Sequence, residues 1–318
     1  MKVLVTPTSF DKPVNAQARA LLEGYADEVV YNDLRIPLQG EDLLTRLEGV
    51  DGYVAGLDYI TAEVVERMPD TLKVISRYGA GVDRVDLAAC KRRGIVVTNT
   101  PGANATAVCE LAFGLMLAAA RNIPALHAAV EKGEWPRSDG MELAGKTLGI
   151  VGLGAIGKKL ALRAKAFEMQ VQAYDPYLDE RFAAEQGIRA LTLDELLQSS
   201  DVVSLHVPLN EQTRHMINAN RIEAMRDGAI IINTARGGLI DEAAAARAIQ
   251  SGKLRGLGLD AFEQEPLKDS PLIGLPHVVF TPHTGAHTAE AVQKMGMMAA
   301  ENAIAVLKGE ACPYIIGG

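Results

Sequence analysis

Residues 146–177 read KTLGIVGLGAIGKKLALRAKAFEMQVQAYDPY. A strand-like run, Thr147 to Val151, leads straight into Gly152, Gly154 and Gly157 in G-x-G-x-x-G spacing. A helical pattern follows to about Phe167, then a second apolar run, Val171 to Tyr174, ending at Asp175. The glycine triplet alone is a weak signal, but this order of elements gives each glycine a task. Gly152 permits the tight turn, Gly154 lets backbone approach a pyrophosphate, and Gly157 allows helix and strand to pack closely. The helix N-terminus then offers N–H groups to phosphates. A carboxylate at Asp175 would accept from the adenosine ribose hydroxyls and repel a 2′-phosphate, which favours NAD over NADP.

Short apolar runs recur on both sides of this stretch. Candidate strands are Lys2 to Thr6, Gly52 to Ala55, Lys73 to Ser76 and Ile95 to Thr98 before it, with Val202 to Leu205, Ile230 to Asn233, Leu254 to Leu259 and Val278 to Thr281 after it. Helix-length segments separate most of them, which predicts parallel sheets built from βαβ units. A chain of 318 residues exceeds the size at which single cores stop growing. The long helical pattern ANATAVCELAFGLMLAAARNIPALHAAVEKGEW between the fourth and fifth runs is too long for an ordinary crossover and sets a domain boundary near Pro101. A last helix, about Thr288 to Lys308, can return the chain to the first domain. The expected fold is α/β with two doubly wound parallel-sheet domains. A Rossmann NAD-binding domain, residues 101–286, is inserted into a discontinuous flavodoxin-like substrate domain of residues 1–100 and 287–318.

A net charge of −8 argues against nonspecific nucleic-acid binding, which needs a basic face. Cys90, Cys109 and Cys312 have neither metal-type nor redox spacing, so a reducing, cytoplasmic compartment is expected. The opening MKVLVTPTSF reads as a strand rather than a leader, and no apolar run is long enough to span a membrane. His127, His215, His277 and His287 have no acidic or Cys partner at metal spacing, so no metal is expected.

The stretch AIIINTARGGLIDE, residues 229–242, sets Arg236 just beyond a strand, against Gly237 and Gly238. Ligands of open α/β sheets bind at the carboxyl ends of strands, where His206 and Pro208 of SLHVPL, Asp260 of LGLDAF and His283 of FTPHTGAH also fall. Hydride transfer to a carbonyl needs a cation to orient the substrate, a proton donor for the developing alkoxide and a group that keeps the donor protonated. The planar fork of Arg236 suits a carboxylate, and the imidazole of His283 suits proton exchange near neutrality. Glu265 is expected to hydrogen-bond His283. Glu263, two residues away, is its rival. His206 is read as a structural or cofactor-wall residue and Trp135 as a packing anchor.

Together GLGAIG, NTARGGLIDE, GLGLDAFEQEPL and TPHTGAHT, preceded by RYGAGVDRVDL and NTPGANATAVCELAFGLML, resemble the NAD-dependent D-2-hydroxyacid dehydrogenases, particularly their short phosphoglycerate dehydrogenase-like branch. The resemblance implies that Arg236 binds a substrate carboxylate, Glu265 buttresses the catalytic His283, and the Ala80–Gly81 backbone contacts the same carboxylate. It places Ala155 and Ile156 at the pyrophosphate turn and Asp260 near the nicotinamide carboxamide. The dinucleotide wall is expected to comprise His206, Val207, Pro208, Thr234, Ala235, Arg236, Asp260, His283, Gly285 and Ala286. It further implies D stereochemistry and a homodimer formed through a helical arm, residues 103–140. The substrate is expected to be a small 2-oxo or 2-hydroxy acid. Arg77 and Arg137 are the candidate cations should it carry a phosphate, whereas glyoxylate or hydroxypyruvate would need neither. A dinucleotide-sensing regulatory protein of the same fold, or a formate or phosphite dehydrogenase on the same architecture, remain as other readings.

Overall fold

The structure is a computed structural model that describes residues 1–316. Residues 317 and 318, the end of the expected second segment of the discontinuous domain, lie outside the described residues. In chain order the strands are β1 (Lys2–Val5), β2 (Glu28–Tyr31), β3 (Gly52–Ala55), β4 (Val74–Arg77), β5 (Val96–Thr98), β6 (Thr147–Val151), β7 (Gln170–Tyr174), β8 (Arg189–Ala190), β9 (Val202–Leu205), β10 (Ala229–Asn233), β11 (Leu254–Leu259), β12 (Val278–Phe280) and β13 (Ile315–Ile316). They form two compact units, one of Met1–Asn104 with Ala286–Gly318 and one of Ala105–Gly285.

In the first unit the sheet order is β13-β5-β4-β3-β1-β2. Its parallel part runs 2-1-3-4-5, the flavodoxin-like order. The exception is β13, which pairs antiparallel with β5. One face is covered by Leu43, Leu47, Val64 and Cys90, the other by Leu22, Ala299, Ala303 and Leu307. The helix Ala289–Lys308 is capped by the Thr288 side chain at its start and by Gly309 in the left-handed region at its end. It is tied to the sheet by the Ser76 hydroxyl, which donates to Ala299 O at 2.8 Å.

In the second unit the order is β12-β11-β10-β9-β6-β7-β8, all parallel. Renumbered from its own first strand this is 3-2-1-4-5-6-7, the Rossmann order extended by one strand. β10 shows why its sequence is an unbroken apolar run. Ile231 joins the core on one face and Ile230 with Ile232 the core on the other, all 0% exposed. The helix Ala105–Arg121 supplies much of the second layer, burying Ala112, Leu115, Met116 and Ala119. A left-handed Asn122, φ 54°, then turns the chain into the helix Ile123–Glu131, none of whose residues is buried. Among the described residues no single helix is long and apolar enough to cross a membrane.

Three strands were not foreseen. β2 and β8 are the edge strands at one end of each sheet, and β13 is the antiparallel edge of the first. Edge strands are short and only partly buried, here with exposures from half-buried to open, so they lack the apolar run that marks the interior strands.

Candidate active site

The second unit brings the carboxyl ends of β6, β9, β10 and β11 to one edge of its parallel sheet. At the end of β6, Gly152 has φ 99°, a left-handed conformation that glycine adopts without steric cost. A Cβ there would also lie 2.7 Å from His206 O. A Cβ on Gly157 would overlap Gly152 O, whereas one on Gly154 would meet nothing within 4 Å. The first and third glycines are therefore required by the protein's own packing, and the second faces open space. The helix Ala155–Ala166 starts here with no side-chain cap, so its first N–H groups, those of Ala155 and Ile156 included, keep their capacity to donate.

Asp175 follows β7, with Oδ2 accepting from Leu153 N at 2.7 Å and Oδ1 from Tyr177 N at 2.8 Å. It thus fastens the glycine turn, and a carboxylate with about four acceptor positions retains capacity for ribose hydroxyls. Past β9, His206 Nε2 lies 2.8 Å from Ser204 Oγ, while Nδ1 is buried without a partner. Burial pushes this imidazole down to about 4, so it is neutral at physiological pH and no proton donor there. Val207 is buried beside it and Pro208 is exposed. Thr234 Oγ1, just past β10, is a second buried polar atom with no partner. Such orphans are uncommon in native proteins, and at a ligand-binding sheet edge they are places where another molecule can supply the bond. The unhindered Gly154, the uncapped helix start, and these two atoms on one sheet edge fit a dinucleotide.

The Arg236 turn is built by Asn233. Its fully buried amide donates to Arg236 O at 2.8 Å and accepts from Ala235 N at 3.0 Å. Arg236 is half-buried, with Nη1 donating to Ala235 O at 2.7 Å. Gly237 then passes so close to the next loop that a Cβ would overlap the Phe262 carbonyl group and Glu263 N. We expect Gly237→Ala to destabilise the fold by about 3 kcal/mol or more, since backbone rather than a flexible side chain must move. A lowered urea midpoint would register it, and an unchanged midpoint would show that this contact is relieved cheaply.

The remainder of AIIINTARGGLIDE is structural. Asp241 caps the helix Glu242–Ser251 by accepting from Ala244 N at 2.9 Å. Glu242 N donates to Glu263 Oε1 at 3.0 Å and Glu263 N to Glu242 Oε1 at 2.8 Å, a reciprocal clasp that Ser270 Oγ joins at 2.7 Å through Glu242 Oε2. Glu263 is thereby committed to holding its loop. Glu265, two residues on, faces the other way: its Oε1 lies 2.8 Å from His283 Nδ1 and accepts from Phe262 N at 3.3 Å. Both side chains of the pair are mostly buried, 29% exposed for His283 and 20% for Glu265.

His283 has φ 51°, the left-handed region that non-glycine residues seldom occupy. Its loop is anchored by Asp260, which is 2% exposed and accepts from Thr281 Oγ1 at 2.6 Å, Thr284 N at 2.8 Å and Gly285 N at 2.8 Å. The expected position of Asp260 at a strand end holds, but most of its acceptor capacity serves the protein. Ala286, expected in the dinucleotide wall, begins the returning segment of the first unit.

In the first unit, Ala80 and Gly81 lie in a loop held by its carbonyls. Asn99 Nδ2 donates to Ala80 O at 2.7 Å and Arg77 Nε to Gly81 O at 3.2 Å. Among the described residues no acceptor meets the N–H of Ala80 or Gly81. Arg77 itself departs from expectation. It ends the interior strand β4, is 3% exposed, and turns its guanidinium onto the carbonyls of Ala55, at 2.7 Å, and Gly81. Two of its three guanidinium nitrogens thus support the loop. Arg137 lies in an exposed segment of the second unit. Asn233, Asn99, Glu242 and Thr281 escaped the sequence reading. Only the adjacency of Asn233 to the Thr-Ala-Arg turn was a usable signal, because the other three act on partners distant in the chain.

A Rossmann-ordered unit with a glycine turn and an edge that gathers an arginine and a buttressed histidine defines an α/β protein of the dinucleotide-dependent dehydrogenase class. A family model described as D-isomer specific 2-hydroxyacid dehydrogenase, NAD binding domain, matches residues 113–285. The chain is 43% identical over 320 residues to D-3-phosphoglycerate dehydrogenase of Methanocaldococcus jannaschii, covering 99% of this chain but 59% of that protein. It is 43% identical over 291 residues to hydroxypyruvate reductase of Thermotoga maritima, covering 90% of this chain and 93% of the relative. The solved structure of Aquifex aeolicus D-lactate dehydrogenase complexed with NAD and lactic acid superposes with a TM-score of 0.86 at 30% identity, covering 99% of each chain. This chain belongs to the D-isomer specific 2-hydroxyacid dehydrogenase family.

Proposed function

We propose that this chain is an NAD-dependent D-2-hydroxyacid dehydrogenase that interconverts a small 2-oxo acid and its 2-hydroxy acid. The observation that carries the reading is the 2.8 Å contact of His283 Nδ1 with Glu265 Oε1, on the same sheet edge as Arg236 and the glycine turn. In this reading residues 101–286 are the NAD-binding domain, inserted into a substrate domain of 1–100 and 287–318. The backbone of Gly152, Gly154, Ala155, Ile156 and Gly157 would take the pyrophosphate, and Asp175 the ribose. His206, Val207, Pro208, Thr234, Ala235, Asp260, Gly285 and Ala286 would wall the nicotinamide end. The dinucleotide, when bound, supplies or accepts the hydride at C2.

Every other step belongs to side chains of this chain. Arg236 holds the substrate carboxylate with its planar fork. The N–H groups of Ala80 and Gly81, in the first unit, are donors of the kind that bind a carboxylate. Glu265 fixes the Nδ1 tautomer of His283, so Nε2 is the ring atom that hands a proton to the C2 oxygen in reduction and removes it in oxidation.

The burial of Arg77 supports an unphosphorylated acid, with the exposed Arg137 left as the candidate cation for a phosphorylated one. Among the activities named for the relatives, hydroxypyruvate or glyoxylate reduction is then the better match. A panel of glyoxylate, hydroxypyruvate and 3-phosphohydroxypyruvate with NADH tests this. Turnover of the first two well above the third supports it. No turnover with any acid, despite tight NADH binding, would overturn the enzymatic reading in favour of a dinucleotide sensor.

Cofactor choice has its own test. Asp175→Asn removes the charge that repels a 2′-phosphate, and the preference for NADH over NADPH should fall about tenfold, equivalent to about 1.4 kcal/mol. An unchanged ratio of kcat/KM values would remove Asp175 from the discrimination.

We also propose a homodimer formed through residues 103–140. Support comes from the exposed apolar side chains Ile123, Val130 and Trp135, which are 52%, 51% and 81% exposed. Trp135 therefore does not serve as an anchor within its own chain. The cytoplasm is the compartment we infer, supported by three free cysteines, with burial pushing the Cys90 thiol up to about 11.

A further inference from the structure

The strongest arrangement that the proposed mechanism does not use is the one beneath its proton donor. His283 sits in a loop only three residues past β12, and its left-handed backbone, φ 51°, is one that a β-substituted residue keeps only where its surroundings over-determine it. Its N–H donates to Thr281 O at 3.0 Å, a tight local turn. On either side of His283, the chain is pinned to a single carboxylate. Asp260 Oδ1 receives the Thr281 hydroxyl at 2.6 Å and the Thr284 N–H at 2.8 Å, and Oδ2 receives the Gly285 N–H at 2.8 Å. Asp260 is itself held, its N–H donating to Asn233 O at 2.9 Å, so the anchor is tied to the residue that shapes the Arg236 turn. The fit is close: a Cβ on Gly285 would lie 2.9 Å from Asp260 Oδ2.

We propose that Asp260 and Thr281 form a latch that holds the His283 loop in its left-handed turn, and so keeps the imidazole on Glu265. Both are positioning residues. The inference rests on the acid/base reading of His283 given above. A buried carboxylate that takes two N–H groups and one hydroxyl cannot be replaced by a group that accepts fewer bonds without freeing one end of the loop. Thr281 is the better place to test this than Asp260, because its hydroxyl touches the latch while Asp260 is also assigned to the dinucleotide wall. Removing the partner that orients a histidine at a metal site typically costs about 10- to 100-fold, and a loss of that order is expected for the contact that holds the His283 loop.

The test compares Thr281→Val, Thr281→Ser and His283→Ala in the full-length protein. Valine keeps the shape and removes the donor, whereas serine restores the donor. We expect Thr281→Val to lower kcat about 10- to 100-fold while NADH affinity, followed by cofactor fluorescence, stays within about twofold, and Thr281→Ser to recover most of the loss. In the protein without cofactor, the downfield proton resonance of the His283–Glu265 hydrogen bond, identified by its absence in His283→Ala, should broaden or disappear in Thr281→Val and return in Thr281→Ser. If Thr281→Val does not fold, the same comparison is made with Thr281→Ala. Wild-type kcat and an intact resonance in the variant lacking the hydroxyl, with His283→Ala inactive, would overturn the latch and leave the acid/base assignment standing. Near-wild-type turnover in His283→Ala would overturn both.

Discussion

Replacing His283 with alanine is expected to lower kcat by about 100- to 10,000-fold, the usual contribution of a positioned acid/base. The reason is specific to the geometry. Glu265 occupies Nδ1 at 2.8 Å and both side chains are mostly shielded, so the imidazole is held in one orientation as the proton carrier. His206 is no substitute, since burial holds it down to about 4 and its Nε2 is engaged by Ser204. NADH should still bind, because the glycine turn and Asp175 lie at the other strands of the same sheet. Steady-state kinetics beside an NADH titration check both halves. Turnover close to that of the parent would remove His283 from the chemistry.

The second large effect falls on a different kinetic parameter. Arg236→Ala should reduce kcat/KM for the oxo acid by roughly 100- to 1,000-fold, the loss of about 3 to 4 kcal/mol that follows from truncating one partner of a shielded charge pair. The fall should come largely through KM, as befits a group that grips the substrate in ground and transition states alike. Arg236→Lys keeps the charge and loses the fork, so it should recover only part of the deficit. A fall in kcat with KM unchanged would instead make Arg236 a group that acts only in the transition state. The turn around it is set by Asn233 and closed by Gly237 through backbone atoms, so these variants remain readable although Arg236→Ala also removes the Nη1 bond to Ala235 O.

Several features were legible in the chain before any tertiary contact was known. The glycine turn follows from the immediate succession of strand, three spaced glycines, helix and second strand, all of them local. Ile230 to Ile232 announce a strand buried on both faces, and Arg236 therefore had to lie at its carboxyl end. His283 was nominated by the same logic, and Glu265 in part by the family resemblance, through the Pro266 that follows it. Their pairing was not derivable that way, because Glu263 offers the same carboxylate two residues earlier. What separates them is the reciprocal bonding of Glu263 with Glu242. Arg77 shows what a local reading leaves open. A cation at a strand end looks available to a ligand, but β4 is an interior strand and the neighbouring carbonyls of Ala55 and Gly81 claim the guanidinium.

By itself, then, the sequence determined the succession of βαβ units, the dinucleotide turn, and the short set of side chains able to grip an anion or move a proton. Those features depend on backbone conformation over a few residues and on apolar periodicity, which the chain carries locally. Only the tertiary structure decided which carboxylate meets His283, that Arg77 is enclosed, and that Asp260 clasps the turn in which His283 stands. Each of those outcomes turns on polar groups removed from water together, and which of them meet is set by the packing of segments far apart in the chain.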